Sequence, residues 1–220
     1  MTVNDSFDFL RLRKSLYSAV VADVLDSLGF RDQVVSLDLR LLSGSGVLVG
    51  RAKTTLWEEM EAVDPRPYDL ELRAVDECRK DDVLVAAAGG SMRSGIWGEL
   101  LSTAARNRGC VGAVVDGAVR DVVKMDEMGF AVFARGTCPR DSLHRQRVTA
   151  VDVPVEIGGV RISPGDLLVA DVDGLVVVPQ AVERAALAAA WEKVTAENRV
   201  RDEIREGLSA GEVFRKYGVL

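Results

Sequence analysis

The sequence predicts an α/β protein, because short apolar runs alternate with helical spacing between residues 82 and 134. The runs that predict buried strands are 82–88, 111–115 and 130–134. Between the first two runs, apolar residues at helical spacing predict a helix that restarts near Ile96 and stops at Gly109, and a second short helix fills the next interval. This strand–helix–strand–helix–strand order is typical of helices layered on a sheet.

The chain before this region is predicted to begin with one long helix over residues 9–28. Leu16, Val20 and Val24 recur there at helical spacing, and Gly29 supplies a stop. A strand over 46–57 and a helix over 69–79 are predicted to follow.

The pattern after residue 148 changes to short strands and one long helix. Gly158 and Gly159 lie between two apolar segments and predict a hairpin with a two-residue turn. Strands are then predicted at 167–170 and 175–178, and the C-terminal helical region covers about 180–217. Because no linker or low-complexity segment interrupts the chain, residues 1–220 are predicted to form a single domain.

The composition excludes several classes of protein. A net charge of −6 provides no basic field for nucleic acid or for an anionic membrane surface. No apolar window is long enough for a transmembrane helix, and the N-terminus lacks the pattern of a signal peptide. The three cysteines form no CxxC motif, so we expect a reducing, cytoplasmic location without disulfides or a cysteine-rich zinc site.

The chain has one histidine, which rules out a multi-histidine metal site or a catalytic triad within one chain. Acid–base or metal chemistry must therefore fall to Asp, Glu, Arg, Lys, Tyr or bound water.

Residues 116–121, Asp-Gly-Ala-Val-Arg-Asp, follow the strand predicted at 111–115 and place two acids and a guanidinium at its end. This is where α/β proteins usually carry their chemistry. A carboxylate beside a permanently charged guanidinium can hold a divalent cation and an anionic substrate together. Asp121 is the candidate metal ligand, since Mg²⁺ takes few carboxylates and keeps several waters. The preference of Asp for helix N-termini would explain Asp121 alone, but not the whole cluster.

Glycines at positions 89, 90, 95 and 98 precede the helix predicted near residue 100. Such a loop would expose backbone amides at a helix N-terminus, which suits an anion the size of a carboxylate. A nucleotide is disfavoured because the segment is neither a P-loop nor a dinucleotide motif. A plain strand-to-helix turn explains this segment, taken alone, at least as well. Arg93 lies in the loop without a neighbouring acid and is a candidate anchor for a distal carboxylate.

Three further features are interpreted as structural. Residues 171–174, Asp-Val-Asp-Gly, are more typical of a turn between strands than of a metal site. His144 lies in a charged loop and is interpreted as a solvated surface residue. Trp57 and Trp97 are expected to be buried.

Several segments occur together with a spacing that is typical of one family. They are Gly98-Glu-Leu-Leu101, the stretch 109–121, and residues 132–136, 158–166 and 170–179. On these motifs, the chain from about Leu16 to about Gly207 resembles the RraA-like family, which contains class II 4-hydroxy-4-methyl-2-oxoglutarate aldolases and the regulator of ribonuclease E activity. The resemblance implies a three-layer β/β/α fold of the swivelling type. It also implies a ring-shaped homotrimer, sometimes doubled to a hexamer, with active sites between subunits.

The resemblance further implies a role for each residue of the two central segments. Asp121 would hold Mg²⁺ or Mn²⁺, mostly through waters, and Arg120 would contact the 2-keto acid and steady its enolate. The backbone of Gly98, Leu100 and Leu101 would bind the substrate carboxylate. Two acids complete the implied site: Glu99, which would position metal-bound water, and Glu197, the best match to a glutamate contributed by the C-terminal helix of a neighbouring subunit.

One departure from the family pattern is Lys80-Asp-Asp82, where members often have Pro-Gly-Asp. We expect it to affect only a turn.

The resemblance, together with these residues, implies a divalent-metal-dependent lyase that acts on a 2-keto acid. Retro-aldol cleavage of a 4-hydroxy-2-keto acid and decarboxylation of oxaloacetate both give pyruvate through an enolate, which the metal and Arg120 would stabilise. A Schiff-base aldolase is disfavoured because no lysine is expected on the apolar strands. A quinone methyltransferase, a name sometimes attached to the family, is rejected because the chain has no clear dinucleotide-like glycine motif. The alternative class is a non-catalytic regulator that binds an RNA-degrading enzyme; the intact set Glu99, Arg120 and Asp121 argues against it.

Overall fold

The computed structural model describes residues 8–218 of the chain. Its helices are α1 (Phe9–Ser15), α2 (Ser18–Ser27), α3 (Asp69–Asp76), α4 (Glu99–Asn107), α5 (Val122–Glu127), α6 (Glu183–Arg205) and α7 (Ala210–Tyr217). Its strands are β1 (Arg40–Ser43), β2 (Leu48–Glu59), β3 (Asp82–Ala87), β4 (Gly95–Trp97), β5 (Gly112–Val119), β6 (Ala131–Thr137), β7 (Gln146–Val151), β8 (Val155–Ile157), β9 (Val160–Ile162), β10 (Leu167–Asp171) and β11 (Gly174–Val178).

A nine-stranded mixed sheet forms the centre of the fold, in the order β1-β6-β5-β3-β2-β10-β11, with β4 beside β5 and β7 beside β2. The inner strands β6, β5, β3 and β2 run parallel, as strands joined through helices do. The outer strands β1, β10 and β11 are antiparallel to their neighbours. A separate two-stranded sheet is formed by β8 and β9.

The main sheet is covered on both faces, which gives the predicted three-layer β/β/α arrangement. Side chains of α3, α4 and α5 pack on one face with Val115 and Ala113 of β5. The intervening Val114 belongs to the other core, which the β8–β9 hairpin covers with Ile157 and Ile162. Successive residues of a strand point to opposite faces of the sheet, and both faces are covered. For this reason β5 is apolar almost throughout. A third cluster joins α1, α2 and α6 to β10 and β11.

The prediction of one helix over residues 9–28 is wrong, because the chain breaks between α1 and α2. Leu16 and Tyr17 are extended, with ψ angles of 157° and 158°. The amide and the hydroxyl of Ser18 both donate to the Asp171 carboxylate, at 2.7 and 2.6 Å. The buried Asp171 carboxylate therefore accepts a hydrogen bond from an amide at the start of a new helix, and α2 begins at Ser18.

Two boundaries near the predicted site also differ. The strand predicted at 111–115 continues to Val119, so Asp116 lies within β5 and not at its end. Ile96 belongs to the short strand β4, and the helix predicted to restart there begins at Glu99.

The C-terminal half follows the prediction closely. Gly158 and Gly159 have φ angles of 56° and 80° and form the two-residue turn of the β8–β9 hairpin. Residues 171–174 form the expected turn between β10 and β11.

The Lys80-Asp-Asp82 departure is confined to a turn, in which Asp81 takes a left-handed φ of 68°. Among residues 8–218, no helix is both long enough and apolar enough to cross a membrane.

Candidate active site

The charged pair Arg120 and Asp121 directly follows the end of β5. The Arg120 amide donates to the carbonyl of Trp97 at 2.8 Å, which ties this end of β5 to β4. Asp121 is left-handed, with φ 58° and ψ 30°, and precedes α5 without capping it through its side chain. An Asp tolerates this conformation better than most residues do. The turn brings Asp121 Oδ2 to 3.9 Å from Arg120 Nε, so two adjacent residues face one site.

The N-terminus of α4 lies directly against the Asp121 carboxylate. Asp121 Oδ2 is 3.4 Å from the amide nitrogen of Glu99. A Cβ on Gly98 would lie only 2.7 Å from the same oxygen, so a larger residue at this position would displace the Asp121 carboxylate. The N-cap residue Gly98 has no side chain with which to cap α4, which leaves the amides of Leu100 and Leu101 available to an anion.

A cavity of about 220 Å³ opens at this junction. Its apolar wall includes Leu72, Ile96, Trp97, Leu100 and Leu101. Its polar wall consists of Tyr68, Glu71, Arg120, Asp121, Asp141 and Ser142. The volume is below the usual range for drug-sized ligands and fits a small organic acid.

Arg120 is held by a residue that was not predicted from the sequence. Its Nη2 atom lies 2.8 Å from Asp141 Oδ2. The Tyr68 hydroxyl donates to the other oxygen of Asp141 at 2.7 Å. Burial and this hydrogen bond raise the pKa of Tyr68 to about 12. Partial burial acts to raise the pKa of Asp141, but hydrogen bonds from Leu143 and Tyr68 and the charge of Arg120 outweigh it and lower that pKa.

Glu71 is a second unexpected member of the cavity wall. Its side chain is buried, and Oε2 has no hydrogen-bond partner among the described residues. Burial, followed by the negative charge of Asp141, raises the pKa of Glu71 to about 8, although Arg120 acts in the opposite direction. A carboxyl group in this setting holds its proton at neutral pH.

Among the residues predicted for the site, the structure brings together Gly98, Leu100, Leu101, Arg120 and Asp121. Glu99 contributes its amide, whereas its carboxylate accepts a hydrogen bond from Thr103 Oγ1 at 2.9 Å.

Two predicted residues lie elsewhere in the chain. Arg93 does not line the cavity, and its guanidinium lies 3.3 Å from Oε2 of Glu59, an acid distant in sequence. Glu197 accepts a hydrogen bond from the Tyr17 hydroxyl of the same chain and lines no part of this cavity. Burial, together with this contact, raises the pKa of Tyr17 to about 12.

The residues at Asp121 fit a hard divalent cation such as Mg²⁺ or Mn²⁺. The Asp121 side chain is 42% exposed, so its carboxylate remains accessible. Within residues 8–218, no group of three His, Cys, Asp or Glu side chains is arranged to hold a metal. An ion bound by Asp121 would therefore take its other ligands from water or substrate, which Mg²⁺ accepts readily.

Lys53 is a buried residue of β2, so the expectation that no lysine lies on the apolar strands is wrong. Its ammonium lies 2.7 Å from Asp152 and 3.4 Å from Glu77, and it is not part of the cavity wall. The interpretations of Trp57 and Trp97 as buried and of His144 as exposed are confirmed.

The charged pair Arg120 and Asp121 therefore lies beside a helix N-terminus whose amides at Leu100 and Leu101 are free to bind an anion. The model of the RraA-like family, described as Aldolase/RraA, matches residues 18–177, and the chain belongs to this family.

Individual relatives agree with this assignment. A Halalkalibacterium halodurans protein, named as a candidate 4-hydroxy-4-methyl-2-oxoglutarate aldolase, is 31% identical over 90% of this chain and 87% of its own length. A 4-hydroxy-4-methyl-2-oxoglutarate aldolase of Thermus thermophilus is 35% identical over 49% of this chain and 65% of its own length. The solved structure of Streptomyces coelicolor RraAS2, described as an unusual member of the RNase ES inhibitor RraA protein family, has a TM-score of 0.75 and 32% identity. That alignment covers 87% of this chain and 96% of RraAS2.

Proposed function

We propose that the protein is a divalent-metal-dependent lyase that cleaves a C–C bond of a 2-oxo acid and releases pyruvate. The observation that carries the proposal is the convergence of Arg120, Asp121 and the uncapped N-terminus of α4 on one small cavity. Membership of a family whose relatives carry aldolase names supports it.

The two parts of the site bind the two ends of the 2-oxo acid group. The amides of Leu100 and Leu101 receive the carboxylate, because the helix N-terminus offers donors and a positive partial charge. Arg120 donates to the 2-oxo oxygen, and its pairing with Asp141 holds the guanidinium in one orientation. Asp121 would hold the divalent ion, which would supply Lewis-acid stabilisation of negative charge.

Cleavage then proceeds as a retro-aldol reaction. The 4-hydroxyl of a 4-hydroxy-2-oxo acid loses its proton, the C3–C4 bond breaks, and the C4–O group becomes a carbonyl. The electron pair of the broken bond forms the enolate of pyruvate, whose charge Arg120 stabilises. Glu99 orients a water that accepts the hydroxyl proton, and protonation of the enolate at C3 gives pyruvate. The same enolate forms when oxaloacetate loses CO₂, so decarboxylation requires no additional residue.

The assembly belongs to the same proposal. A homotrimer, or a hexamer made of two trimers, would bring Glu197 of a neighbouring subunit to the site. Light scattering of the purified protein measures this state directly. A monomer with full activity would exclude the role of Glu197. The proposed location is the cytoplasm.

Pyruvate release from 4-hydroxy-2-oxo acids and from oxaloacetate tests the enzymatic function, in the presence of Mg²⁺ or Mn²⁺ and again with EDTA. We expect turnover with metal and its loss with EDTA. Asp121→Ala should abolish turnover, whereas Asp173→Ala, which removes an exposed acid from the β10–β11 turn, should not. Absence of pyruvate with every metal and substrate would refute the lyase.

A non-catalytic regulator remains the second candidate, because the RraAS2 structure is described as belonging to an RNase inhibitor family. If the protein is such a regulator, the wild type and the Asp121→Ala variant should slow RNA cleavage by the target ribonuclease to the same extent. It would release no pyruvate.

A further inference from the structure

The proposed reaction ends with a proton transfer that still needs a donor. Cleavage leaves the enolate of pyruvate, and C3 of that enolate must receive a proton before pyruvate can leave. A side chain that gives this proton acts as a general acid and has to lie within reach of the substrate. The donor must therefore belong to the cavity wall and must hold a proton at neutral pH.

Most polar side chains of the cavity wall cannot supply this proton. The guanidinium of Arg120 does not release a proton in proteins. The Asp141 carboxylate is occupied as the acceptor of Arg120 and Tyr68 and has no proton to give. Burial, followed by the hydrogen bond to Asp141, raises the pKa of Tyr68 to about 12. Asp121 is assigned to the metal ion, and the hydroxyl of Ser142 is a far weaker acid than a carboxyl group.

Glu71 of α3 is the remaining polar side chain among the described residues of this wall. The residue is 6% exposed, and its Oε2 atom has no partner in the part of the chain that the structure describes. If Glu71 were ionised, a negative charge would be buried without a hydrogen bond at that oxygen, which is costly. The neutral, protonated carboxyl group is therefore the favoured form.

The surroundings of Glu71 suit an acid that gives up its proton and regains it. Burial first and the charge of Asp141 second raise the pKa of Glu71 to about 8, and Arg120 opposes them. A general acid works best when its pKa lies near the operating pH. Once Glu71 has lost its proton, the positive charge of Arg120 stabilises the carboxylate that remains.

The enolate carbon lies within the same small volume as Glu71. In the proposed orientation Arg120 contacts the oxygen on C2, so C3 is one bond away from the carbon that Arg120 fixes. Glu71 and Arg120 line one cavity of about 220 Å³, which leaves little room between the Glu71 carboxyl and a bound enolate.

We propose that Glu71 is the general acid that protonates C3 of the enolate. The O–H bond of its carboxyl group breaks, and the proton joins the electron pair of the C2–C3 double bond to form the new C3–H bond. The C2–O group returns to a carbonyl, and Glu71 regains a proton from water. In the reverse direction the Glu71 carboxylate removes a C3 proton from pyruvate. This inference rests on the proposed function for the enolate and its orientation.

Exchange of the methyl hydrogens of pyruvate with D₂O tests this step without any C–C cleavage. Proton NMR of pyruvate with the full chain and Mg²⁺ should show a loss of the methyl signal that Mg²⁺ alone does not cause. Glu71→Gln keeps the size of the side chain and should slow the exchange at least about 100-fold. Glu156→Gln, an exposed position of β8, is the matched control and should exchange at the wild-type rate. No exchange by the wild type, or exchange by Glu71→Gln within about tenfold of it, would overturn the inference.

Two further measurements distinguish a proton donor from a residue that only shapes the cavity. Calorimetry should show that Glu71→Gln binds pyruvate within about threefold of the wild-type affinity, because the lost group acts on the reaction and not on binding. A loss of affinity as large as the loss of exchange would contradict the assignment. Glu71→Met also removes the carboxyl group and serves if Glu71→Gln folds poorly.

The second measurement uses 2-oxobutanoate, which has two distinguishable hydrogens on C3. A donor fixed on one wall of the cavity reaches one face of the enolate, so the wild type should exchange only one of these hydrogens for deuterium. Equal exchange of both would show that freely moving water protonates the enolate, and would overturn the inference.

Turnover separates this inference from the proposed function. If the wild type exchanges the pyruvate hydrogens through Glu71 but cleaves neither 4-hydroxy-2-oxo acids nor oxaloacetate, the lyase proposal fails and the role of Glu71 holds. If the wild type cleaves these substrates and Glu71→Gln exchanges as fast as wild type, the lyase stands and the role of Glu71 is refuted.

Discussion

Two aspartates in the segment 116–121 are chemically identical but have opposite surroundings. Asp116 lies inside β5, its side chain is 5% exposed, and it pairs with Arg135 Nε at 2.5 Å. Asp121 follows the strand, is 42% exposed, and is 3.9 Å from Arg120 Nε. The comparison shows that position relative to the strand end decides the role of each acid. Within the strand, the neighbouring β6 supplies a partner; beyond it, the carboxylate remains available to a ligand.

The largest expected effect is the loss of activity in Asp121→Gly. Glycine adopts the φ of 58° without strain, so the change removes the carboxylate and preserves the turn. We expect kcat/KM for pyruvate release to fall about 1,000-fold. The free energy of unfolding, measured in urea, should stay within about 1 kcal/mol of wild type. Activity within about tenfold of wild type would contradict the assignment of Asp121 as metal ligand.

Asp116→Ala is the corresponding change at the buried aspartate and should lower the stability of the protein. Asp116 is buried but Arg135 is exposed, so the change removes a charge-assisted hydrogen bond and leaves a guanidinium that water can partly solvate, at a cost of about 2 kcal/mol of unfolding free energy. Urea denaturation measures this loss. The double variant Asp116→Ala with Arg135→Ala should recover part of it, because no unpaired charge remains. Equal losses in the single and double variants would show that the pair itself is not responsible.

These two aspartates also show what the sequence can predict. Local patterns were sufficient for most strands and helices, because each signal lies within a few residues. The pairing of Gly98 with Arg120 and Asp121 came only from the resemblance to a family, because the two segments are distant in sequence. Local patterns placed Asp116 at the end of the strand together with Asp121, because the apolar run was predicted to stop at residue 115, whereas β5 continues to Val119. They also missed Glu71 and Asp141, which meet only because α3 and a loop distant in sequence pack at the same end of β5. Contacts of this kind depend on the sheet order and leave no local pattern.

Glu71 adds a third case to the comparison, a buried acid without a partner among the described residues. Its pKa of about 8, against the usual 4.5, reflects burial first and the charge of Asp141 second, with Arg120 opposing them. Above about pH 4.5 the unfolded chain releases this proton, while the folded chain keeps it until about pH 8. The stability of the wild type therefore falls with rising pH in this window, by at most about 1.4 kcal/mol per pH unit from this group.

The glutamine introduced by Glu71→Gln cannot ionise, so the variant should lack the part of the pH dependence of stability that Glu71 causes. Between about pH 5 and about pH 8, the unfolding free energy of the variant should rise by about 2 kcal/mol relative to wild type. Urea denaturation at both pH values gives the difference. Parallel pH profiles for the two proteins would show that Glu71 is solvated or paired in solution.

The smallest expected change in stability is that of Gly98→Ala, which tests how closely α4 approaches Asp121. The new Cβ would lie 2.7 Å from Asp121 Oδ2, so the carboxylate must rotate away from the Glu99 amide. We expect the unfolding free energy, measured by urea denaturation, to fall by about 1 kcal/mol. We also expect a clear fall in kcat/KM for pyruvate release, because the displaced Asp121 carboxylate can no longer hold its metal ion near Arg120. Gly211→Ala is the matched control, since its Cβ meets nothing closer than 3.7 Å.

Adding Asp121→Gly to Gly98→Ala should restore the stability but not the activity, because the clash disappears with the carboxylate. If the second change restores nothing, the glycine is required by the backbone of α4 and not by its contact with Asp121.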